Sequence, residues 1–249
     1  VDPLRTALGA SRSRFGRRMS LNSKISSIYN IIKDYRADEN DGIGMVDEQR
    51  IKTWINQFSE NDRDFLLDET SHNSSKRYLS KSYIEKNIIR AINKMAELQG
   101  FSGDISSFIS KSLFLDLQPH GKSQGVLLEI LNSLIEEKYN LPIQSSSLDE
   151  LNNFNAEHYI YYDDVLCTGN TFFQDIKDFL QCEDRGRKKY YRKLLDGNIH
   201  LHCCFLFCHT LNADKKRKQF GYEIDKSMEH HKNFHFLAHN YINNYSDLS

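Results

Sequence analysis

The chain has 249 residues, a hydrophobic share of 39%, a charged share of 27% and a formal net charge of −1. This length allows one well-buried domain with an appendage, or two small domains. The small net charge excludes recruitment of nucleic acid or an anionic membrane by a global electrostatic field, and no apolar run is long enough to span a bilayer. Five cysteines without regular spacing exclude a disulfide framework and predict a reducing, cytoplasmic environment.

The first eighteen residues differ in composition from the rest of the chain. They carry five arginines against one acid, Asp2, and they end just before Met19. Such a composition is typical of a transit peptide, but a cloning leader or upstream read-through gives the same pattern. We therefore expect residues 1–18 to be a leader or tag-like segment outside the fold.

Residues 19–110 have the pattern of packed helices. Apolar side chains recur at three- and four-residue steps from Leu21 onward. Ser82 and Glu85 have the spacing of a capping box in front of a further apolar helical run. Packing of these apolar faces against one another accounts for the pattern, so we predict a helical N-terminal part over residues 19–110.

The pattern changes after residue 110. Three short apolar runs, Leu113–Leu117, Tyr159–Tyr162 and Ile199–Phe207, alternate with apolar helical segments. Alternation of this kind predicts a mostly parallel sheet that is covered by helices on both faces. We therefore expect residues 111–249 to form an α/β, Rossmann-like core.

The segment 159–171 carries the most chemical information. It contains a predicted strand, the acidic pair Asp163 and Asp164, and a hydroxyl-rich turn that opens a helix. Ligands of open α/β sheets bind at the carboxyl ends of strands, and free N–H groups at a helix start bind phosphate. Two carboxylates suit the diol of an adjoining ribose, and we expect both to be reachable from solvent. The predicted phosphate- and ribose-binding residues are Asp163, Asp164, Val165, Leu166, Cys167, Thr168, Gly169, Asn170 and Thr171. The alternative is a structural strand–turn–helix with a capping threonine and a solvated acidic pair.

A second loop, after the first predicted strand, suits another phosphate group. It consists of Pro119, His120, Gly121, Lys122 and Ser123, and it leads to a predicted helix. Lys122 and the N–H groups of the loop suit an anion such as a second phosphate. An ordinary strand–helix turn would have the same composition.

Residues 159–171 resemble the motif with which type I phosphoribosyltransferases bind phosphoribosyl pyrophosphate (PRPP). That motif is an apolar strand, two acids, two or three mainly apolar positions and then T-G-x-T. In the family an earlier strand leads to a pyrophosphate loop, the place that residues 119–123 take here. The resemblance implies a phosphoribosyltransferase-type sheet, PRPP or a nucleotide as ligand, and Mg²⁺ held indirectly by Asp163 and Asp164. It further implies that Asp163, Asp164 and Lys122 act in making or breaking an N-glycosidic bond at ribose C1.

The helical half of the chain points to one group within this family. Together with the motif, it resembles the phosphoribosyltransferase-like effectors of bacterial conflict and antiphage systems, and the segments that carry this resemblance are Trp54–Phe58 and Asp62–Leu67. Some of these effectors accompany retron reverse transcriptases. This implies a defence role, a protein partner in a defence complex, and nucleic acid only as an indirect partner.

One departure from the family pattern leaves a second function open. Phosphoribosyltransferases usually have a mobile basic loop that closes over the pyrophosphate, but Gln144–Glu157 contains no Lys or Arg. Stabilisation of a leaving pyrophosphate would then depend on Mg²⁺ and Lys122. The alternative to an enzyme is therefore a non-catalytic nucleotide sensor of the same fold that signals to a partner protein.

Four further clusters of polar residues have simple interpretations. Cys203, Cys204 and Cys208 lie among histidines and suggest zinc, but a buried strand explains them equally. The C-terminal His230–His239 segment also contains apolar residues, which favours packing over metal binding. The basic clusters Arg185–Lys193 and Lys215–Lys218 fall in predicted connections, where solvated charge is the default interpretation. The alternative for both basic clusters is a surface for nucleic acid or a partner, and a nucleic-acid-associated toxin subunit is the function that such a surface would suit.

Overall fold

The computed structural model describes residues 19–34, 46–119 and 122–242. The chain divides into two compact units between Lys81 and Ser82. The hydropathy pattern instead suggests a boundary at residue 110. The two boundaries differ because the helices within residues 82–110 pack against the sheet of the second unit. The predicted leader, residues 1–18, lies outside the described residues.

The first unit is a small helical unit with its own core. Its described helices are α1 (Leu21–Ile32), α2 (Glu48–Ile55) and α3 (Glu60–Arg77). The core consists of one leucine and four isoleucines, namely Ile25, Ile28, Ile51, Ile55 and Leu67. The buried Lys24 ammonium lies 2.7 Å from Asp64 and 2.6 Å from Asp68, which compensates the burial of its charge.

The second unit is an α/β unit in which helices alternate with strands. Its elements, and the helix that leads into it, are α4 (Lys81–Leu98), α5 (Ile105–Ser110), β1 (Ser112–Leu115), α6 (Ser123–Tyr139), β2 (Ser145–Ser146), β3 (His158–Leu166), α7 (Asn170–Gln181), α8 (Tyr190–Leu195), β4 (His200–His209), α9 (Thr210–Glu223) and β5 (Phe234–Ile242). Short 3₁₀ turns span Leu148–Asn153 and Lys226–His230. The predicted alternation of strands and helices is confirmed.

The five strands form one sheet in the order β2-β1-β3-β4-β5, and every pairing is parallel. The strand β3 therefore lies at the centre, between β1 and β4. In such a sheet all carboxyl ends lie at one edge, and the connections cross over the faces. The mostly parallel sheet predicted from the sequence is confirmed.

The ring of Phe172 fixes the start of α7 on one face of the sheet. It lies 5.5 Å from the ring of Tyr161 on β3, 5.2 Å from that of Phe205 on β4 and 5.5 Å from that of Phe236 on β5. Each such aromatic pair contributes about 0.5–1.5 kcal/mol beyond the area it buries. The turn that precedes Phe172 is thus anchored to three strands.

The other face of the sheet is rich in histidine. Four histidine rings follow one another across this face, in the order His158, His200, His202 and His235. The centres of successive rings are at most 6.3 Å apart, and the closest pair, His202 and His235, is 4.7 Å apart. His158 and His202 are buried, and no described residue makes a hydrogen bond to their ring nitrogens. Buried polar atoms of this kind are costly to the stability of the fold.

The helices α4 and α5 cover this histidine-rich face. The Met95 Sδ of α4 lies 3.5 Å from the Cys204 Sγ, and the ring of Phe108 on α5 lies 5.0 Å from that of His158. Cys203 and Cys204 are adjacent on β4 and both fully buried, so their side chains point to opposite faces. Within the described ranges, no three His, Cys, Asp or Glu side chains are grouped so that they could hold a metal ion.

Both basic clusters differ from the sequence-based expectation that they lie in connections. In the first cluster, Arg192 and Lys193 belong to α8. The Lys215–Lys218 cluster was expected in a connection, but it lies inside the fourteen-residue helix α9. The expectation of a connection was wrong. The helix was missed because α9 has too few apolar residues to give a clear helical pattern. The segment Gln144–Glu157 contains β2 and a 3₁₀ turn, and its Leu151 is 1% exposed in the core.

Candidate functional site

The two predicted loops leave the same edge of the sheet. The strands β1 and β3 are parallel neighbours, with Phe114 opposite Ile160, so their carboxyl ends lie side by side. Pro119 and Lys122 follow β1 and are exposed, and Lys122 precedes the first residue of α6, Ser123. His120 and Gly121 lie outside the described residues. The structure therefore brings the described part of the predicted pyrophosphate loop next to the strand that carries the acidic pair.

The two acids have different environments because β3 continues through them to Leu166. Asp163 is only 6% exposed. Its Oδ2 accepts hydrogen bonds from the Gln118 Nε2 at 2.8 Å and from the Tyr161 hydroxyl at 3.3 Å. Asp164 is half-buried, and its Oδ1 accepts the Val165 N–H at 2.7 Å. The expectation that both carboxylates are reachable from solvent is therefore wrong for Asp163.

A buried polar network lies beneath the acidic pair. The Tyr161 hydroxyl lies 2.9 Å from the Asp175 Oδ2, as well as 3.3 Å from Asp163, and its one proton can serve only one carboxylate at a time. Burial raises the pKa of Asp163 to about 6, helped by the charge of Asp164, and burial likewise raises the pKa of Asp175 to about 6. Ionisation of Asp163 therefore destabilises the folded protein. A carboxylate with such a raised pKa is common at functional sites.

The turn after β3 has the geometry of an anion site. Gly169 precedes α7 with φ 74° and ψ 13°, and among the described residues no side chain caps the first N–H groups of the helix. The first N–H groups of any helix lack intrahelical acceptors. The neighbouring Cys167, Thr168, Asn170 and Thr171 are exposed. The other two residues predicted to bind the ligand differ from each other in exposure: Val165 is 44% exposed, whereas Leu166 is buried in the core. Leu166 can therefore contribute to binding only through its backbone.

Residues of α9 hold this turn from outside the motif. The Asn212 Nδ2 donates to the Cys167 carbonyl at 2.7 Å, and the Lys216 Nζ donates to the Asn170 Oδ1 at 2.7 Å. Sequence reasoning missed both residues. The helical spacing of Ala213, Lys216 and Phe220, all of which are buried, is the signal that could have indicated their helix.

Gln124 ties the end of β1 to β3 and was also missed. It is completely buried, and its Oε1 accepts the N–H groups of Leu117 at 2.9 Å and Gln118 at 3.0 Å. Its Nε2 lies 3.5 Å from the Tyr162 carbonyl oxygen. The loop after β1 and the strand β3 are therefore linked through one side chain, which fixes Gln118 where it can contact Asp163.

This fold and site define a class of protein. A parallel α/β sheet whose central strand carries two acids and then a glycine turn opening a helix is the arrangement of a phosphoribosyltransferase-type protein. The chain belongs to the PRTase-CE family, whose model matches residues 51–247. No curated protein and no solved structure shows a significant match to the chain. In the described part of the chain, no helix combines the length and apolar character that crossing a membrane requires.

Proposed function

We propose that the chain binds PRPP or a nucleotide at the carboxyl edge of β1 and β3 and makes or breaks an N-glycosidic bond at ribose C1. The observation that carries the proposal is the turn Thr168–Thr171, which presents uncapped N–H groups directly after the two acids of β3. An anion at a helix start is stabilised by these N–H groups and by the helix dipole. The 5′-phosphate is the group of the ligand that suits this position.

The acids and the β1 loop have separate roles in this proposal. Asp164, half-buried at the strand end, accepts hydrogen bonds from the ribose diol. Asp163 adds negative charge beneath the ring, which favours the positive charge that develops on the sugar in the transition state. The exposed Lys122 attracts the pyrophosphate or another departing group.

The residues present also fit a magnesium ion that is held mainly by the ligand. Mg²⁺ commonly uses one or two carboxylates together with substrate phosphates, and Asp163 and Asp164 are adjacent carboxylates of this kind. The described residues contain no larger acidic group that would hold the ion without a ligand. When bound, Mg²⁺ would neutralise charge on the pyrophosphate.

We place this activity in bacterial antiphage defence, where the chain would act with a protein partner. The support is the resemblance of the helical half and the motif to conflict-system effectors. Removal of a nucleotide or of PRPP from infected cells is the form of activity that fits the site. The test is to follow PRPP, NAD and a nucleotide panel during incubation with the protein, and then to repeat the assay in cells challenged with phage.

A nucleotide sensor is the second candidate, and two observations favour it. The segment Gln144–Glu157 lacks basic residues and contains β2 and a 3₁₀ turn. The Asp163 carboxylate is occupied by Gln118 and Tyr161. A protein that binds a nucleotide but consumes none of the panel, with or without its partner, would support the sensor and contradict the enzyme.

We expect Asp164→Asn to weaken binding of PRPP and of ribonucleoside 5′-phosphates by about 1.5–3 kcal/mol, because a neutral amide replaces the charged acceptor of the diol. Folding should be unchanged, because Asp164 is only half-buried. The one described N–H group that its carboxylate accepts is that of Val165, and an asparagine oxygen can accept it as well. Asp163→Asn should also weaken binding, because its amide keeps only one of the two oxygens that accept hydrogen bonds from Gln118, Tyr161 and the Asp164 N–H. Calorimetry with both variants checks the prediction. Unchanged affinity of both for every ligand would contradict the diol site.

We expect Lys122→Ala to separate enzyme from sensor. If the site is catalytic, turnover should require Mg²⁺, and the variant should lower the rate more than it lowers affinity for a ligand without pyrophosphate. A loss of roughly tenfold or more in kcat is expected when one cation near a leaving pyrophosphate is removed. Lys138 lies at the other end of α6, so Lys138→Ala is the control that changes net charge equally. Equal rates for both variants would contradict the role of Lys122.

A further inference from the structure

Lys216 is buried beside the phosphate turn, although the other two lysines of α9 are exposed. It is 9% exposed, whereas Lys215 and Lys218 on the same helix are exposed. Its Nζ donates to the Asn170 Oδ1 at 2.7 Å and to the Gln219 Oε1 at 2.9 Å. Burial of a lysine ammonium is costly unless a charge or several acceptors compensate it.

No described carboxylate lies within ion-pair distance of Lys216. Both hydrogen-bond acceptors are neutral amide oxygens, and the nearest acid in this network, Glu223, is reached only through Gln219, whose Nε2 donates to it at 2.7 Å. Glu223 is itself paired with Lys177 at 2.7 Å. The contrast with Lys24 is clear, because that buried lysine contacts two aspartates. Lys216 therefore forms no ion pair with a described carboxylate, although its charge, after that of Lys177, helps to lower the pKa of Glu223. Its Nζ also lies 5.4 Å from the centre of the Phe173 ring.

The side chain of Lys216 also lies directly against the turn. A Cβ at Gly169 would be 2.9 Å from the Lys216 Cγ and 3.3 Å from its Cε. The aliphatic part thus packs on Gly169, and the ammonium contacts the next residue, Asn170. A cation in this place adds to the field of the uncapped N–H groups, and low exposure reduces its screening by salt.

We infer that Lys216 is the positioning cation of the phosphate turn: it holds Asn170, and its charge selects a dianionic phosphate monoester over neutral ligands. The inference rests on the proposed function, because it assigns the turn to the 5′-phosphate of that ligand. It adds a residue from α9, outside both predicted loops, as the determinant of phosphate affinity. The ion-pair partner of Lys216 is then the ligand itself.

The test compares variants that remove or keep the charge at this position. Lys216→Met keeps most of the side-chain volume without charge, Lys216→Arg keeps the charge, and Lys215→Met and Lys218→Met change the net charge equally at exposed sites. Binding of ribose 5-phosphate and of PRPP is measured by calorimetry at two salt concentrations, and thermal unfolding is measured for each variant. Lys216→Met should bind both ligands roughly 10- to 100-fold more weakly, as expected for loss of a charge-assisted interaction. Lys216→Arg should retain most of the affinity, and both control variants should bind like the wild type.

The outcomes separate this inference from the function on which it rests. If the wild type binds ribose 5-phosphate and Lys216→Met binds it equally well, the role of Lys216 is wrong and the proposed function stands. If Lys216→Met and Lys216→Arg lose affinity to the same extent while remaining folded, shape rather than charge matters, and the inference is again wrong. If the wild type binds neither ligand, both the proposed function and the inference fail. Should Lys216→Met not fold, Lys216→Gln provides the uncharged variant for the same comparison.

Discussion

Replacement of Gly169 by valine is expected to abolish binding of 5′-phosphorylated ligands and to destabilise the second unit. Gly169 has φ 74°, a left-handed conformation that a β-branched residue adopts only with strain of about 1–3 kcal/mol. The new Cβ would lie 2.9 Å from the Lys216 Cγ, so the buried lysine would have to move away from Asn170. The branched side chain would also occupy space at the turn where the anion is proposed to bind.

Gly103 offers a matched control for the backbone strain. It has φ 82°, and a Cβ there would have no neighbour within 4 Å. Gly103→Val should therefore lose stability through the same backbone strain but keep ligand affinity. Calorimetry with PRPP and ribose 5-phosphate, together with thermal unfolding of both variants, checks the prediction. Wild-type affinity in Gly169→Val would show that the anion binds elsewhere.

The second unit is expected to lose stability steeply as the pH falls from about 6.5 towards 4. Burial lowers the pKa of His158 and of His235 to about 4, it lowers the pKa of His200, and it places the pKa of His202 well below the ordinary value. In the unfolded chain these histidines bind protons near pH 6.5, whereas in the folded unit they do not. The contribution of these neutral histidines to the free energy of unfolding is therefore fully present above pH 6.5. It decreases at lower pH, because the unfolded state then takes up protons that the folded state does not. His158 alone accounts for about 3 kcal/mol once the pH is below 4.

Two carboxylates act in the opposite direction but do not reverse the trend. Asp163 and Asp175 have pKa values raised to about 6, so the folded state binds their protons first, and stability rises as the pH falls from 6 to about 3.8. Four histidines outweigh these two groups. His202→Phe should make the free energy of unfolding fall less steeply with decreasing pH, because it keeps a buried ring and removes a titrating group. His230→Gln is the control, since that side chain is 83% exposed. Urea unfolding between pH 7.5 and pH 4.5 measures the slope, and equal slopes for wild type and His202→Phe would contradict the prediction.

The strands and the motif could be predicted because their signals are local. Each of β1, β3 and β4 contains a mainly apolar run, as expected for strands covered on both faces. The acids and the glycine turn lie within thirteen consecutive residues, so their order alone indicated the site. In contrast, β2 has only two residues, which is too short for a periodic signal. The helix α9 buries only Ala213, Lys216 and Phe220, so its apolar stripe is weak and its lysines suggested a solvated connection.

The environment of the site could not be predicted because it depends on contacts between distant parts of the chain. Asp163 is buried by Gln118, which is 45 residues away in sequence. The turn at Asn170 is held by Lys216, which is 46 residues away. Neither contact leaves a pattern in the neighbouring residues. They appear only when the parallel sheet brings the carboxyl ends of its strands, and the helices that follow them, to one edge.

The all-parallel sheet also determines when the site can form during folding. Each strand pairs with a partner that is separated from it by a crossover connection, and pairing of this non-local kind is slow because a long loop must close first. The turn at Gly169 gains its contacts with Asn212 and Lys216 only after β4 has paired with β3 and α9 has docked. During synthesis, the motif therefore leaves the ribosome well before the residues that hold it in place. We expect nascent chains that end before residue 210 to contain the complete motif and yet to lack an ordered phosphate turn.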